Sequence, residues 1–100
     1  MRHVLALGLV VATHIACQRP SASRPLAPNV IQANGGDITI TSFKHASVQI
    51  EHAGMVIQVD PALVDIATAK PADLVLVTDI HDDHLNPGRI RRVRKPGAPV

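Results

Sequence analysis

The run Leu74-Val75-Leu76-Val77 constrains the fold more than any other feature of the chain. It is apolar without alternation, so as a strand it presents apolar side chains on both faces. A strand of that kind belongs in the centre of a sheet that is covered on both sides. Pro71-Ala72-Asp73 launches it, and it drives directly into Thr78-Asp79-Ile80-His81-Asp82-Asp83-His84-Leu85-Asn86-Pro87. Residues 79–84 hold two imidazoles and three carboxylates within six positions. Carboxylate and imidazole together suit a borderline divalent metal such as zinc, and the end of a strand can aim them at one point.

Upstream, the pattern changes from uniform to alternating. Asp37-Ile38-Thr39-Ile40-Thr41-Ser42-Phe43 reads as a half-buried strand rich in β-branched residues. Ala46-Ser47-Val48-Gln49-Ile50-Glu51-His52 alternates again, which predicts Val48 and Ile50 facing in, with Gln49 and Glu51 facing out. His52-Ala53-Gly54 reads as a hairpin turn and Met55-Val56-Ile57-Gln58-Val59 as the return strand, closed by Asp60-Pro61. The result is a β-meander. Residues 62–70 read as a loop with one helical turn. Beyond the acidic stretch, Asn86 and Pro87 supply a cap and a first-turn proline, Ile90 and Val93 a thin apolar stripe, and Lys95-Pro96-Gly97 a stop. Ala98-Pro99-Val100 reads as the approach to another strand.

A chain of 100 residues admits at most one small domain, and with Phe43 its sole aromatic residue the core is aliphatic. The formal charge of +2 is too small to imply a nucleic-acid partner, and Arg89, Arg91, Arg92, Arg94 and Lys95 read as a solvated helix face. Cys17 is the single cysteine, so an intrachain disulfide is excluded. The basic start Met1-Arg2-His3, the apolar residues 4–12 and the small-residue pattern Ile15-Ala16-Cys17 make residues 1–17 a signal peptide. Its end resembles a bacterial lipobox with Cys17 as the lipid-bearing residue, although His14 stands where such signals usually carry Leu. Residues 18–34, rich in Pro, Ser and Arg, read as an extended tether, and the domain is placed at residues 35–100. The expected location is therefore the periplasm, or a membrane surface reached through a lipidated Cys17.

Asp79-x-His81-x-Asp83-His84 resembles the His-x-His-x-Asp-His signature of the metallo-β-lactamase fold superfamily, with Asp at the first position. Phe43-Lys44-His45-Ala46-Ser47-Val48-Gln49-Ile50, then Gly54-x-x-Ile57-x-x-Asp60-Pro61, is similar to the opening meander of its ascorbate-phosphate-lactonase-like branch. Residues 71–78 resemble that branch's lead-in to the metal loop. The resemblance implies an α+β class: the N-terminal portion of an αβ/βα sandwich, made of a β-meander, central strand, metal loop and helix.

It also implies a hydrolase in which metal-bound hydroxide attacks an ester, lactone, amide or phosphoester of a small molecule. The implied cofactor is zinc, two ions in the complete family site, with Mn or Fe as alternatives. Matched by position, Asp79 and His81 belong to the first metal and Asp83 and His84 to the second, with Asp83 also the catalytic carboxylate. Asp60 matches the strand-end Asp that orients the ligands from behind, against a plain Asp-Pro turn. His45 reads as a supporting or substrate-side residue, or as an ordinary strand-edge histidine. The later family ligands are expected beyond residue 100.

Two other readings stand beside the enzyme. One is a truncated or decayed metal-binding domain without catalysis, which would leave an open sheet edge and an uncovered apolar face. The other is a basic binding module built on residues 89–95. For the leader, the lipobox reading expects chain isolated from its own cells to lack residues 1–16 and to carry lipid mass on Cys17. Intact-mass spectrometry checks this, and a retained leader or a bare Cys17 thiol contradicts it.

Overall fold

The computed structural model describes residues 27–100. The segment read as a signal peptide, Cys17 and the first part of the segment read as a tether lie outside the described residues. Five strands follow one another in the sheet in chain order: β1 (Asn29–Ile31), β2 (Ile38–Ser42), β3 (Val48–His52), β4 (Met55–Val59) and β5 (Leu74–Leu76). The first four are antiparallel neighbours, and β5 lies parallel to β4. One helix, α1 (Pro87–Val93), comes last. Strand β1 falls inside the segment read as tether. Val30 and Ile31 pair with Thr39 and Ile38, so the turn at residues 32–37 joins two strands instead of opening the domain.

The meander forms where the alternating pattern predicts it. Its β3–β4 hairpin turns on Ala53 and Gly54, both at positive φ (48° and 82°), a two-residue turn whose twist matches the flanking strands. Which face it buries is the reverse of expectation. Ile40, Ile50, Ile57 and Leu74 lie opposite one another in register, as do Ser42, Val48, Val59 and Leu76. These rows share one face because they are two residues apart on every strand. That face is left uncovered among the described residues, and Leu76 is 44% exposed. The opposite face carries Gln49, Gln58 and Val75, all buried.

The reason lies in the crossover. Parallel strands cannot be joined by a hairpin, so residues 60–73 must pass over one face of the sheet. This crossover contains only a short 3₁₀ turn (Pro61–Leu63), so most of its backbone needs partners from elsewhere. The buried amides supply them. Gln49 Oε1 accepts from the Lys70 amide (2.8 Å) and from Gln58 Nε2 (2.7 Å), and Gln58 Nε2 also donates to the Lys70 carbonyl (3.2 Å). The polar residues of β3 and β4 are inside because an irregular segment lies over them.

Helix α1 covers the rest of that face. Asn86 caps it, accepting the Arg89 amide at 2.9 Å, and Pro87 occupies its first position, as expected. Its buried Ile90 joins Val75 and Ala72 in a small core flanked by Val77 and Leu85. Among the described residues strand β5 is the last strand in the order. It has β4 on one edge and the run after α1 along the other, in keeping with the interior place that its uniform apolar sequence predicts. That run forms a parallel bridge from Arg94 to Ala72 and accepts the Val75 amide at the Pro99 carbonyl (3.0 Å).

Asp73 ties these pieces together. Its carboxylate accepts the Val56 amide (2.9 Å) and the Lys95 ammonium (2.6 Å), while its own amide donates to the Val56 carbonyl (2.8 Å). The Lys95 ammonium, then the Val56 amide, hold its carboxyl below the ordinary value of 3.8. A carboxyl depressed on folding adds stability that is present above its unfolded value and is lost as pH falls through the folded one. Asp73→Asn is expected to lower the urea midpoint at neutral pH and to narrow its gap from the parent protein below about pH 4. Urea titrations at several pH values check this, and a gap independent of pH contradicts it.

Candidate metal centre

Strands β4 and β5 run parallel and end together, with Val59 opposite Leu76. Chain leaving both strands therefore emerges at one edge, where parallel sheets commonly place their ligands. Asp60 leaves β4 and Thr78 leaves β5 at this edge. The Asp60 amide adds a last rung, donating to the Leu76 carbonyl at 2.9 Å.

Asp60 then bends sharply. It has left-handed backbone angles (φ 46°, ψ 57°), a region Asp enters at a cost of about 1 kcal/mol. The bend turns its buried carboxylate toward β5. Oδ1 accepts the Thr78 amide at 2.7 Å, and Oδ2 accepts both the Thr78 hydroxyl and Nδ1–H of His84, the latter at 2.9 Å. Burial alone would raise the Asp60 carboxyl. The Thr78 hydroxyl and amide, followed by His84, more than offset that and hold it below its ordinary value. The same contact raises His84: the hydrogen bond to Asp60 leads, burial opposes it, and the charges of Asp60, Asp83 and Asp79 add to it. With Nδ1 committed to a carboxylate, the neutral His84 ring keeps Nε2 as its free lone pair. Metal-ligating histidines are commonly held in this way.

The other candidate ligands lie in the exposed loop after Thr78. Asp79 Oδ1 accepts the His81 amide (3.1 Å) and the His81 ring Nδ1, closing a tight turn. The His81 amide, then its ring, keeps the Asp79 carboxyl below its ordinary range. Asp83 Oδ2 lies 3.9 Å from His84 Nε2. The loop thus pairs Asp79 with His81 and Asp83 with His84. Among the described residues no group of three or more His, Cys, Asp or Glu side chains is close enough to hold one ion. The donor types and the Asp60–His84 bond fit a divalent metal, but the loop by itself gathers its donors two at a time.

The acidic residues do not serve the helix. Cap contacts of α1 come from Asn86, and its first turn contains no acidic side chain. His45 stands in the β2–β3 turn at the same end of the sheet, exposed and at positive φ (54°). Its ring makes no hydrogen bond among the described residues. Besides His84, the side chains that reach Asp60 are Thr78 and Ser47, neither of which the sequence reading assigned to the site. Ser47 donates its hydroxyl to the Asp60 carbonyl at 2.6 Å. The sequence held a hint of Thr78 in its place before Asp79, and none of Ser47. A cavity of about 400 Å³ lies at the opposite end of the sheet, lined in part by Asp37, Glu51, His52 and Lys70. It contains none of the candidate ligands.

A family model described as the beta-lactamase superfamily domain matches residues 39–96. Among solved structures, a protein of Parabacteroides distasonis ATCC 8503, provisionally assigned as a metal-dependent hydrolase, is similar to this chain. The identity is 35% and the TM-score 0.65, over 72% of this chain and 34% of that one. The chain therefore spans about a third of that protein's length. No curated protein matches the chain.

Replacing Asp60 by Ala is expected to leave the part-buried Thr78 amide and hydroxyl without their acceptor, at a cost of about 1–2 kcal/mol in unfolding free energy. Asp60→Asn, which tolerates the left-handed backbone and keeps one acceptor, is expected to cost less. Chemical denaturation of both variants checks the order, and equal losses contradict it.

Proposed function

This chain belongs to the beta-lactamase superfamily and carries an N-terminal part of the metallo-β-lactamase-type fold, and from that premise we propose that it serves a metal-dependent hydrolase. The observation that carries the reading is the bond from His84 Nδ1 to the buried Asp60 at the shared end of two parallel strands. A structural histidine has no need of a buried carboxylate that presents its other nitrogen to solvent; a metal-binding one does.

The residues proposed to hold the metal are Asp79 and His81 at one position, and Asp83 and His84 at the other. Zinc is the proposed ion, with Mn or Fe as alternatives, since two carboxylates and two imidazoles accept any of them. Donors beyond these four complete the coordination. A divalent ion held there would supply Lewis acidity and lower the pKa of a water, so that its deprotonated form could attack an ester, lactone, amide or phosphoester near neutral pH. Asp60 fixes the His84 ring and its tautomer, and the exposed Asp83 carboxylate is placed to take a proton at Oδ2. Asp79 and His81 enter as a preassembled pair. By the Met1–Cys17 pattern, we place this hydrolase outside the cytoplasm, acting on a small-molecule substrate.

The uncovered apolar face of the sheet favours a second reading, a metal-binding fragment without catalysis. Both readings require the imidazoles. In the full-length protein, His81→Ala with His84→Ala is expected to abolish tight zinc binding, read by calorimetry and by metal content after dialysis. Chelation is expected to remove hydrolysis of a lactone and phosphoester panel, and added zinc to restore it. Zinc retained by the double variant would sink both readings; zinc lost with no hydrolysis in the parent would leave the second.

A further inference from the structure

The site depends on Asp60 holding an unfavourable backbone conformation, and the structure shows what keeps it there. The Asp60 amide is pinned to the Leu76 carbonyl on β5. Its carbonyl is pinned by the Ser47 hydroxyl (2.6 Å), which at the same time accepts the Leu63 amide (3.1 Å). Ser47 is 1% exposed and is itself held by its backbone, its carbonyl accepting the Phe43 amide at 2.9 Å and its amide donating to Lys44 at 3.2 Å. We infer that Ser47 is a positioning residue for the metal centre: it clamps the left-handed turn at Asp60, and through that turn it sets the aim and the tautomer of His84.

The physical argument is one of fixed peptide planes. With its amide and carbonyl both bound, Asp60 cannot relax toward the right-handed or extended regions that a non-glycine residue prefers. Its Cα–Cβ direction is then set, and the carboxylate reaches Thr78 and His84 without search. Removing the Ser47 hydroxyl frees the Asp60 carbonyl and orphans the Leu63 amide in one step, so the turn can relax and swing the carboxylate off the imidazole. Ser47 makes no hydrogen bond to Asp79, His81, Asp83 or His84 among the described residues, and its side-chain link to them runs through Asp60.

For the effect on zinc, the inference rests on the metal-hydrolase reading, but the ring itself can be observed without metal. In metal-free full-length protein labelled with ¹⁵N-histidine, neutral His84 is expected to carry its proton on Nδ1. Ser47→Ala is expected to move it toward Nε2, with the His81 signals unchanged. Zinc affinity is expected to fall about tenfold or more. Ser47→Thr, which keeps the hydroxyl, is expected to restore both. In an Asp60→Asn background, Ser47→Ala is expected to change affinity less than twofold. If Ser47→Ala does not fold, Ser47→Cys takes its place, with an intermediate shift of the ring expected from its weaker hydrogen bonds.

A lowered melting temperature with the His84 tautomer unmoved would overturn the inference, because Ser47 would then be only a packing residue. So would an affinity loss of full size in the Asp60→Asn background. Absence of zinc binding in every variant, the parent included, would instead sink the metal reading, and the tautomer would still decide the role of Ser47.

Discussion

The carboxylate of Asp60 is where the described chain converges. It is buried, negatively charged at neutral pH, and stable there because three donors meet it: the Thr78 amide, the Thr78 hydroxyl and the His84 ring. Each belongs to the segment leaving β5, so the bonds bring the ends of β4 and β5 into one site. Ser47 adds the β2–β3 turn to the same point through the Asp60 carbonyl. A buried carboxylate with fewer partners would be costly, and one in open solvent would not orient an imidazole. The environment of Asp60 meets both needs.

The sheet presents a second constraint, an unequal pair of faces. On one side the crossover and α1 bury Gln49, Gln58, Val75 and Ile90. On the other, rows of Ile, Val and Leu from β2 to β5 have no cover among the described residues. Aliphatic side chains aligned in register over several strands are the inner face of a layered fold. The chain spans about a third of the length of the solved structure it resembles, and among the described residues nothing lies on this face. In the loop after β5 the carboxylates and imidazoles stand in pairs, with no group of three gathered among the described residues.

Much of this was legible in advance, for local reasons. The β3–β4 hairpin is encoded in two alternating runs around Ala53-Gly54, and α1 in the pair Asn86-Pro87 with Ile90 and Val93 three apart. Such signals depend on residues close in sequence and survive any tertiary context. The acidic-imidazole cluster was equally visible, as was its likeness to a known signature. The orientation of the meander was not. Alternation shows that a strand has two unlike faces and leaves open which one the chain will cover. Here the segment needing hydrogen bonds chose the amide face, so Gln49 went inside and Val48 and Ile50 stayed half-exposed. The uniform run of β5 was legible in the ordinary way: apolar side chains on both faces mark an interior strand, and β4 lies on one edge with the run after α1 along the other.

By itself, then, the sequence determined the elements and the chemical inventory: the meander, the capped helix, and imidazoles and carboxylates concentrated after an apolar strand. These follow from backbone preferences and side-chain types that act over a few residues. Tertiary structure alone decided how that inventory is aimed. Asp60 and His84 are 24 positions apart, and Ser47 and Asp60 are 13 apart. Only the parallel pairing of β4 with β5, and the packing of the β2–β3 turn against the bend after β4, bring them within hydrogen-bonding distance. The left-handed backbone at Asp60 is a property of that closed arrangement. No local preference of an Asp-Pro pair selects it, because its stabilisation comes from partners on two other segments.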